Sequence, residues 1–459
     1  MNDWAGVVLA AGKGTRMKSA VPKVLHTVCG RPLLSHVTSS FRDGGIPGIV
    51  VVASAEMASD PDFVKAAGQG ARIAVQREQL GTAHAVKSAN AYAGNAQHVL
   101  VGAGDMALVT PDSIRRLADA HVKAGALVTV LTACVDRPET FGRIVRDSAG
   151  GVLRIVEDVE ADEEERTINE VNISFYCFDA PWLWEQLGSV RTSGAGEQYL
   201  TDLLESAAHS GRAAAVQVSD PAEAMGVNDR AQLAEVEEVL RSRIRRRWLS
   251  AGVTMRDPAT TYIDADVEIG QDTVLLPGNH IMSGARIGVA CEIGPNSVLK
   301  DCIVGERVKV ISSFIDGAEI GNDLSIGPFS RIRPGARIES GAYIGNFAEI
   351  KNSRVGPGTH VGHFSYVGDS SLGKNVNIGA GTVTANYDGK DKHRTVIGDD
   401  ASIGAGTIIV APTEIGASAK TGAGAVVNRD VKAGETVVGV PARPIKRKTA
   451  QGEAVRNDV

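Results

Sequence analysis

The stretch LAAGKGTRM (9–17) leaves the apolar run Val7-Val8-Leu9 through a glycine turn, with Arg16 inside it and Lys23 shortly after. Backbone N–H groups of such a turn can line a phosphate, and the two cations would offset its charge. The stretch does not fit GxxxxGK[ST], given the order Gly12-Lys13-Gly14-Thr15, nor GxGxxG, because Met17 stands three residues after Gly14. Alone, it serves equally as a tight strand-to-helix turn. A second chemistry lies far downstream in GHFSYVGD, which carries His363 and Tyr366. A histidine in a polar slot can act as a general base for proton transfer. His363 is a candidate base, although a lone histidine is more often structural.

These residues need elements to hold them. Before about residue 225, β-branched runs at 5–11, 48–54, 98–105 and 127–135 alternate with helical stretches such as 82–93 and 110–125. In the last of these Thr110 can cap and Pro111 takes the first helical position. The alternation predicts a mostly parallel sheet with ligands at the strand C-terminal ends. Residues 229–251 form one long helix candidate, with Leu233, Val236, Leu240, Ile244 and Trp248 near one face. Its run RSRIRRRW fits a solvated helix face better than a nucleic-acid contact.

From Ile263 the period becomes six: Ile263, Ile269, Leu275, Ile281, Ile287 and Ile293 are evenly spaced, and many such residues precede a glycine. Neither helix nor strand periodicity gives six. A hexapeptide repeat does, each unit being a short strand plus a turn with the aliphatic inward. Three units per coil give a triangular left-handed parallel β-helix, as hexapeptide proteins generally have. The regularity breaks at TANYDGKDKHRT (384–395), where a projecting loop could carry function. Arg333 and Lys351 are 18 residues apart. One coil therefore stacks them on one face, with backbones about 4.8 Å apart. Two such cations repel by roughly 3 kcal/mol at an effective dielectric of about 20. A bound anion would turn that repulsion into affinity.

Composition sets the frame. With 459 residues, 43% hydrophobic and 22% charged, the chain reads as a soluble globular protein of two or three domains. A net charge of −6 gives no reason to expect a nucleic-acid partner. The five cysteines are scattered and never spaced CxxC, which argues for a reducing compartment without disulfide framework or zinc site. No window approaches 18 continuous apolar residues, and the start MNDWAGVVLAAGKG lacks the regions of a signal peptide. The expectation is a cytoplasmic protein with no membrane partner.

Taken in order, LxxGxGxRM…PK (9–23), QLGTAHA (79–85), GDMAL (104–108), FGR (141–143), IVED (155–158), EVN (170–172) and GVN (226–228) resemble the sugar-nucleotidyltransferases. With the hexapeptide region behind them, nearly the whole chain resembles one bacterial family. That family is the bifunctional N-acetylglucosamine-1-phosphate uridylyltransferase / glucosamine-1-phosphate N-acetyltransferases. The resemblance implies a Rossmann-like α/β uridylyltransferase domain at 1–228, a linker helix at 229–251, and a β-helix acetyltransferase domain at 252–459.

For the first domain it implies attack of N-acetylglucosamine 1-phosphate on the α-phosphate of UTP, releasing pyrophosphate. Asp105 and Asn228 would hold Mg²⁺, with Arg16 and Lys23 at the phosphates. Leu9, Ala10, Ala11, Gly12 and Gly14 would line the nucleotide, and Gln76, Gly81 and Thr82 would read uracil. Gly142, Glu157, Asn172 and Thr201 would hold the sugar, although Glu157 in VEDVEADEEE also fits a solvated acidic face. For the second domain it implies acetyl transfer from acetyl-CoA to glucosamine 1-phosphate, with His363 as base. The sugar phosphate would meet Arg333, Lys351, Tyr366, Asn377 and Lys392. Asn386 and Tyr387 would position the reacting groups, with acetyl-CoA passing Ala405 and Ala423 towards Arg443 and the basic tail PARPIKRK (441–448). Family members are homotrimers. This sequence departs from the family's usual residues at Ala103, Ala107, Val159 and Ala405. Two rivals stand beside this reading: a single-activity nucleotidyltransferase whose β-helix only oligomerises or regulates, and a non-enzymatic sugar-nucleotide sensor or scaffold.

Overall fold

The computed structural model describes residues 3–138, 140–192 and 196–445. It divides into two compact units, Met1–Leu240 and Arg241–Val459. The first is built on a sheet of nine strands: β1 (Trp4–Leu9), β2 (Gly48–Ala53), β3 (Arg72–Val75), β4 (His98–Ala103), β5 (Val128–Cys134), β6 (Arg143–Arg146), β7 (Val152–Val156), β8 (Glu170–Asp179) and β9 (Ala213–Gln217). The spatial order is β9-β5-β8-β4-β1-β2-β3, with the β6–β7 hairpin joined to β8. The pairs β9–β5, β4–β1, β1–β2 and β2–β3 are parallel, whereas β8 runs antiparallel to both β4 and β5.

Both faces of the sheet are covered, so neighbouring residues on one strand enter different cores. Val8 packs with Phe41, Phe63 and Phe175 on one side. Val7 packs with Val86, Phe178 and Leu183 on the other. This explains the continuous aliphatic runs at 5–9 and 48–53, which strict alternation would not give. The helix Pro111–Ala124 begins where expected: the Thr110 hydroxyl accepts from Ser113 N at 3.2 Å, and Gly125 closes it at φ 56°. The helical stretch 82–93 is interrupted at Ala89, giving Thr82–Ser88 and Asn90–Ala93.

The long helix spans Arg230–Ser250. In the first unit, Val236 is fully buried in a cluster with Met17, Leu33 and Val227. In the second, buried Arg245 donates to the carbonyl of Pro258 at 2.7 Å.

The second unit is a parallel β-helix whose three faces hold 12, 10 and 9 described strands. The strands have two or three residues, most with the aliphatic buried and its predecessor exposed or half-buried. The period-six residues therefore form the core: Leu275, Ile293, Ile326, Ile344 and Ile350 are all 0% exposed. One coil is 18 residues where Arg331 pairs with Glu349. Across the projecting loop Val383 pairs with Ile408, 25 residues on, so the loop adds seven residues without disturbing the stack.

Candidate active sites

In the first unit the ends of β1 and β4 open onto a cavity of about 650 Å³. Leu9, Ala10, Ala11, Gly12, Gly14 and Arg16 line it together with Lys23, and so do Gln76, Gly81, Thr82, Asp105 and Asn228. The chain builds this wall by close approach. Gly14 adopts φ 58°, and a Cβ there would lie 2.7 Å from Lys23 Cβ. Gly81 adopts φ 105°, and a Cβ there would lie 2.5 Å from the Gln198 carbonyl oxygen. Only glycine suits either place. Gln76 is buried and donates from Nε2 to the Gly81 carbonyl at 3.2 Å, while Leu200 N donates to the Thr82 hydroxyl at 2.9 Å.

At the floor, the Lys23 ammonium is ion-paired with Asp105, and Arg16 donates to Asn228 Oδ1 at 2.9 Å. Two oxygen donors and two cations thus share one concave site. No group of three or more His, Cys, Asp or Glu placed to hold a metal occurs among the described residues. One carboxylate and one amide oxygen still fit Mg²⁺, which commonly takes one or two protein oxygens and completes its shell with water and phosphate.

Gly142, Glu157, Asn172 and Thr201 form a cluster of their own. Asn172 N donates to the Gly142 carbonyl at 2.9 Å, and Thr201 Oγ1 donates to Glu157 at 3.3 Å. Glu157 is half-buried, and burial raises its carboxyl above its ordinary value, against the Thr201 hydrogen bond. Asn172 Nδ2 donates to the Tyr176 hydroxyl at 2.7 Å, and Tyr176 lines the cavity. A register shift of β8 against β5 between Asn172 and Tyr176, with Ser174 at φ 59°, aims this pair. Bulges often re-aim side chains beside functional sites. Sequence reasoning missed Ser174, Tyr176 and Glu197 in the cavity wall, because a bulge and a packed loop leave no periodic trace.

In the second unit the ten-strand face gathers Arg333, Lys351, Tyr366, Asn386 and Lys392. Arg333 N bonds the Ile350 carbonyl at 2.8 Å, which sets it one coil from Lys351. The expected bare cation pair is corrected: Arg333 is paired with Glu349 at 2.7 Å, and Lys351 lies 3.9 Å from Asp369. The Lys351 ammonium also holds the Lys392 pKa below its ordinary value. Glu349 and Asp369 were not read from the sequence, since charge partners on neighbouring coils need the register. The Tyr387–Lys392 bridge closes the projecting loop. Asp388 pins it through the backbone N–H groups of Lys390 and Asp391 and through His393 Nε2 at 2.6 Å.

His363 is exposed at the corner joining the 12-strand and ten-strand faces. Its carbonyl accepts from Gly381 N, that of Ala380 from Gly406 N, and that of Ala405 from Gly424 N. These bonds stack His363, Ala380, Ala405 and Ala423 in one column. Phe364, next to His363, continues a ladder with Phe347 and Phe329, their centroids 5.2 and 5.3 Å apart and all three exposed. Asn377 lies apart on the 12-strand face. Arg443 is in the final strand of that same face, and Lys446, Arg447 and Lys448 of the basic tail fall outside the described residues.

Two family models match the chain: the MobA-like NTP transferase domain over residues 6–170, and the bacterial transferase hexapeptide (six repeats) over residues 317–352 and 394–429. Fold and sites thus define a transferase of two parts, a nucleotidyltransferase-type α/β domain followed by a left-handed hexapeptide β-helix. The protein named "Bifunctional protein GlmU" from Trichlorobacter lovleyi is 45% identical over 93% of this chain and 94% of its own length. Those of the same name from a Geobacillus species and Pelotomaculum thermopropionicum are each 46% identical, over 93% and 90% of this chain. The chain belongs to this bifunctional GlmU family of enzymes.

Proposed function

We propose that the chain makes UDP-N-acetylglucosamine in two steps. Residues 252–459 acetylate glucosamine 1-phosphate from acetyl-CoA, and residues 1–228 then join the product to UTP, with 229–251 as linker helix. The observation that carries this is the gathering of Arg333, Lys351, Tyr366, Asn386 and Lys392 on the ten-strand face, one corner of which carries the His363–Ala380–Ala405–Ala423 column. A face with three cations, a phenol hydroxyl and an amide fits a sugar phosphate, and an open corner with three alanines beside His363 fits the arm of acetyl-CoA.

In the first step the phosphate sits against Arg333, Lys351 and Lys392, with Tyr366 and Asn377 also assigned to the sugar. Asn386 and Tyr387 orient the reacting groups. The amine nitrogen forms a bond to the acetyl carbon as its proton passes to His363, the C–S bond breaks with its electron pair on sulfur, and the CoA thiolate leaves as the thiol by taking up that proton. Ala405, Ala423 and Arg443 are assigned to acetyl-CoA. In the second step the sugar phosphate oxygen attacks the α-phosphate of UTP and pyrophosphate leaves. Arg16 and Lys23 offset the repulsion of two anions and the charge that develops. Leu9, Ala10, Ala11, Gly12 and Gly14 face the nucleotide, Gln76, Gly81 and Thr82 take uracil, and Gly142, Glu157, Asn172 and Thr201 take the sugar. Asp105 and Asn228 would hold Mg²⁺, which supplies charge neutralisation at the phosphates when bound.

The exposed Phe329–Phe347–Phe364 ladder supports a homotrimer, in which residues on different faces, such as Asn377 and Lys351, could come from neighbouring copies. Five scattered cysteines, never spaced CxxC, fit a cytoplasmic setting, and among the described residues no helix is long and apolar enough to cross a membrane.

Point variants of the full chain test the assignment. Asp105→Ala should abolish pyrophosphate release while thiol release from acetyl-CoA continues, and His363→Ala should do the reverse. Loss of both activities in either variant, or thiol release unaffected by His363→Ala, would sink it.

A further inference from the structure

Asp369 stands at the centre of the C-terminal cluster, and none of the roles above uses it. Its side chain is almost fully buried, and each carboxylate oxygen serves a different amide. Asn352 Nδ2 donates to Oδ1 at 2.6 Å, and Asn386 Nδ2 donates to Oδ2. Burial opposes its charge, but these two amides and the charges of Lys351 and Lys392 hold its carboxyl below the usual range. An ionised carboxylate only accepts hydrogen bonds. The Asn386 amide therefore has one permitted orientation, with nitrogen towards Asp369. The Tyr366 hydroxyl lies 3.5 Å from the same Nδ2, so the group left to meet a ligand is the Asn386 carbonyl oxygen.

We propose that Asp369 is a positioning residue for acetyl transfer. By fixing Nδ2 of Asn386 it presents Oδ1 as an acceptor to an N–H of the incoming amine, which turns the nitrogen lone pair towards the thioester. The inference rests on the acetyl-transfer reading above and adds to it what sets the polarity of Asn386.

Asp369→Asn suits the left-handed backbone there, at φ 49°. It offers one oxygen and one NH₂ where two oxygens were used, so either Asn352 or Asn386 must flip. The expected result is a kcat for thiol release lowered by about 10- to 100-fold, with KM for acetyl-CoA unchanged. The swap Asn352→Asp with Asp369→Asn returns an acceptor to Asn386 and a carboxylate to the cluster, and should recover most of the lost kcat. In an Asn386→Ala background, Asp369→Asn should bring no further loss, because Asp369 acts through Asn386. A wild-type kcat in Asp369→Asn, a swap no better than the single variant, or an additive second loss in the Asn386→Ala background overturns the proposal. Failure of the wild-type chain to release thiol with glucosamine 1-phosphate is a different result, and removes the acetyl-transfer reading together with this inference.

Discussion

Single positions set the geometry of both sites. At Gly81 a positive φ coincides with a carbonyl oxygen 2.5 Å from where a Cβ would stand. Gly81→Ala must push residues 80–83 away from 198–200, where Gln198 N bonds Leu80 O at 2.8 Å and Ala83 N bonds Gln198 O at 3.0 Å. Strain of this kind is worth about 1–3 kcal/mol, so KM for UTP should rise by about tenfold or more. Pyrophosphate release checks this, with thiol release from the same chain as the control. On the other unit, Arg333→Ala with Lys351→Ala should raise KM for glucosamine 1-phosphate at least tenfold while leaving KM for acetyl-CoA unchanged, and unaltered kinetics would remove the phosphate role. The glycine turn and the 18-residue spacing were legible because each is a local or periodic signal. The Glu349 and Asp369 partners and the nearness of Lys392 to Lys351 were not, because each is created by pairing between coils, and the Asn172–Tyr176 pair was not, because it depends on a bulge that leaves no periodic trace.

Elements carry the next level. The helix Pro111–Ala124 lies on the sheet through His121, which is 1% exposed. Its Nδ1 bonds the Thr129 hydroxyl at 2.9 Å, and its ring meets His98 edge-on at 5.3 Å and Trp4 at 6.0 Å. Burial, with smaller effects from His98 and Arg212 that outweigh Asp179, lowers its pKa to about 4. In the folded chain the His121 ring thus stays unprotonated between about pH 6.5 and 4, where in the unfolded chain it takes up a proton. The stabilisation is complete above the unfolded value and is lost as pH falls through this window, at up to about 1.4 kcal/mol per pH unit. Denaturant melts between pH 7 and 4.5 should show that slope, and His121→Phe should reduce it; an unchanged slope would place the acid sensitivity elsewhere. The capped helix and the hexapeptide stack could be read from sequence because capping and period are written locally. The antiparallel β8 and the break at Ala89 could not, because strand direction and helix interruption answer to neighbours that the local pattern does not name.

At the scale of the whole molecule, two units with separate cores share one chain. The first buries Phe41, Phe63 and Phe175 on one sheet face, and the second buries an aliphatic column through Ile326, Ile344 and Ile350. Each core can be weakened alone: Phe175→Ala should cost about 3–5 kcal/mol in the first, and Ile344→Ala about 2–5 kcal/mol in the second. Calorimetry should accordingly show two transitions, each variant lowering one midpoint. Assembly adds a second signature. If the Phe329–Phe347–Phe364 ladder is covered by another copy, unfolding of the β-helix also separates subunits, and its midpoint rises with protein concentration. The α/β transition has no such dependence when its own unit is not held by partners. Phe347→Ser, which breaks the middle of the ladder without touching the inward column, should abolish the concentration dependence at unchanged uridylyl transfer. A concentration-independent second transition in the wild-type chain would mean that the ladder faces solvent and that each β-helix stands on its own core.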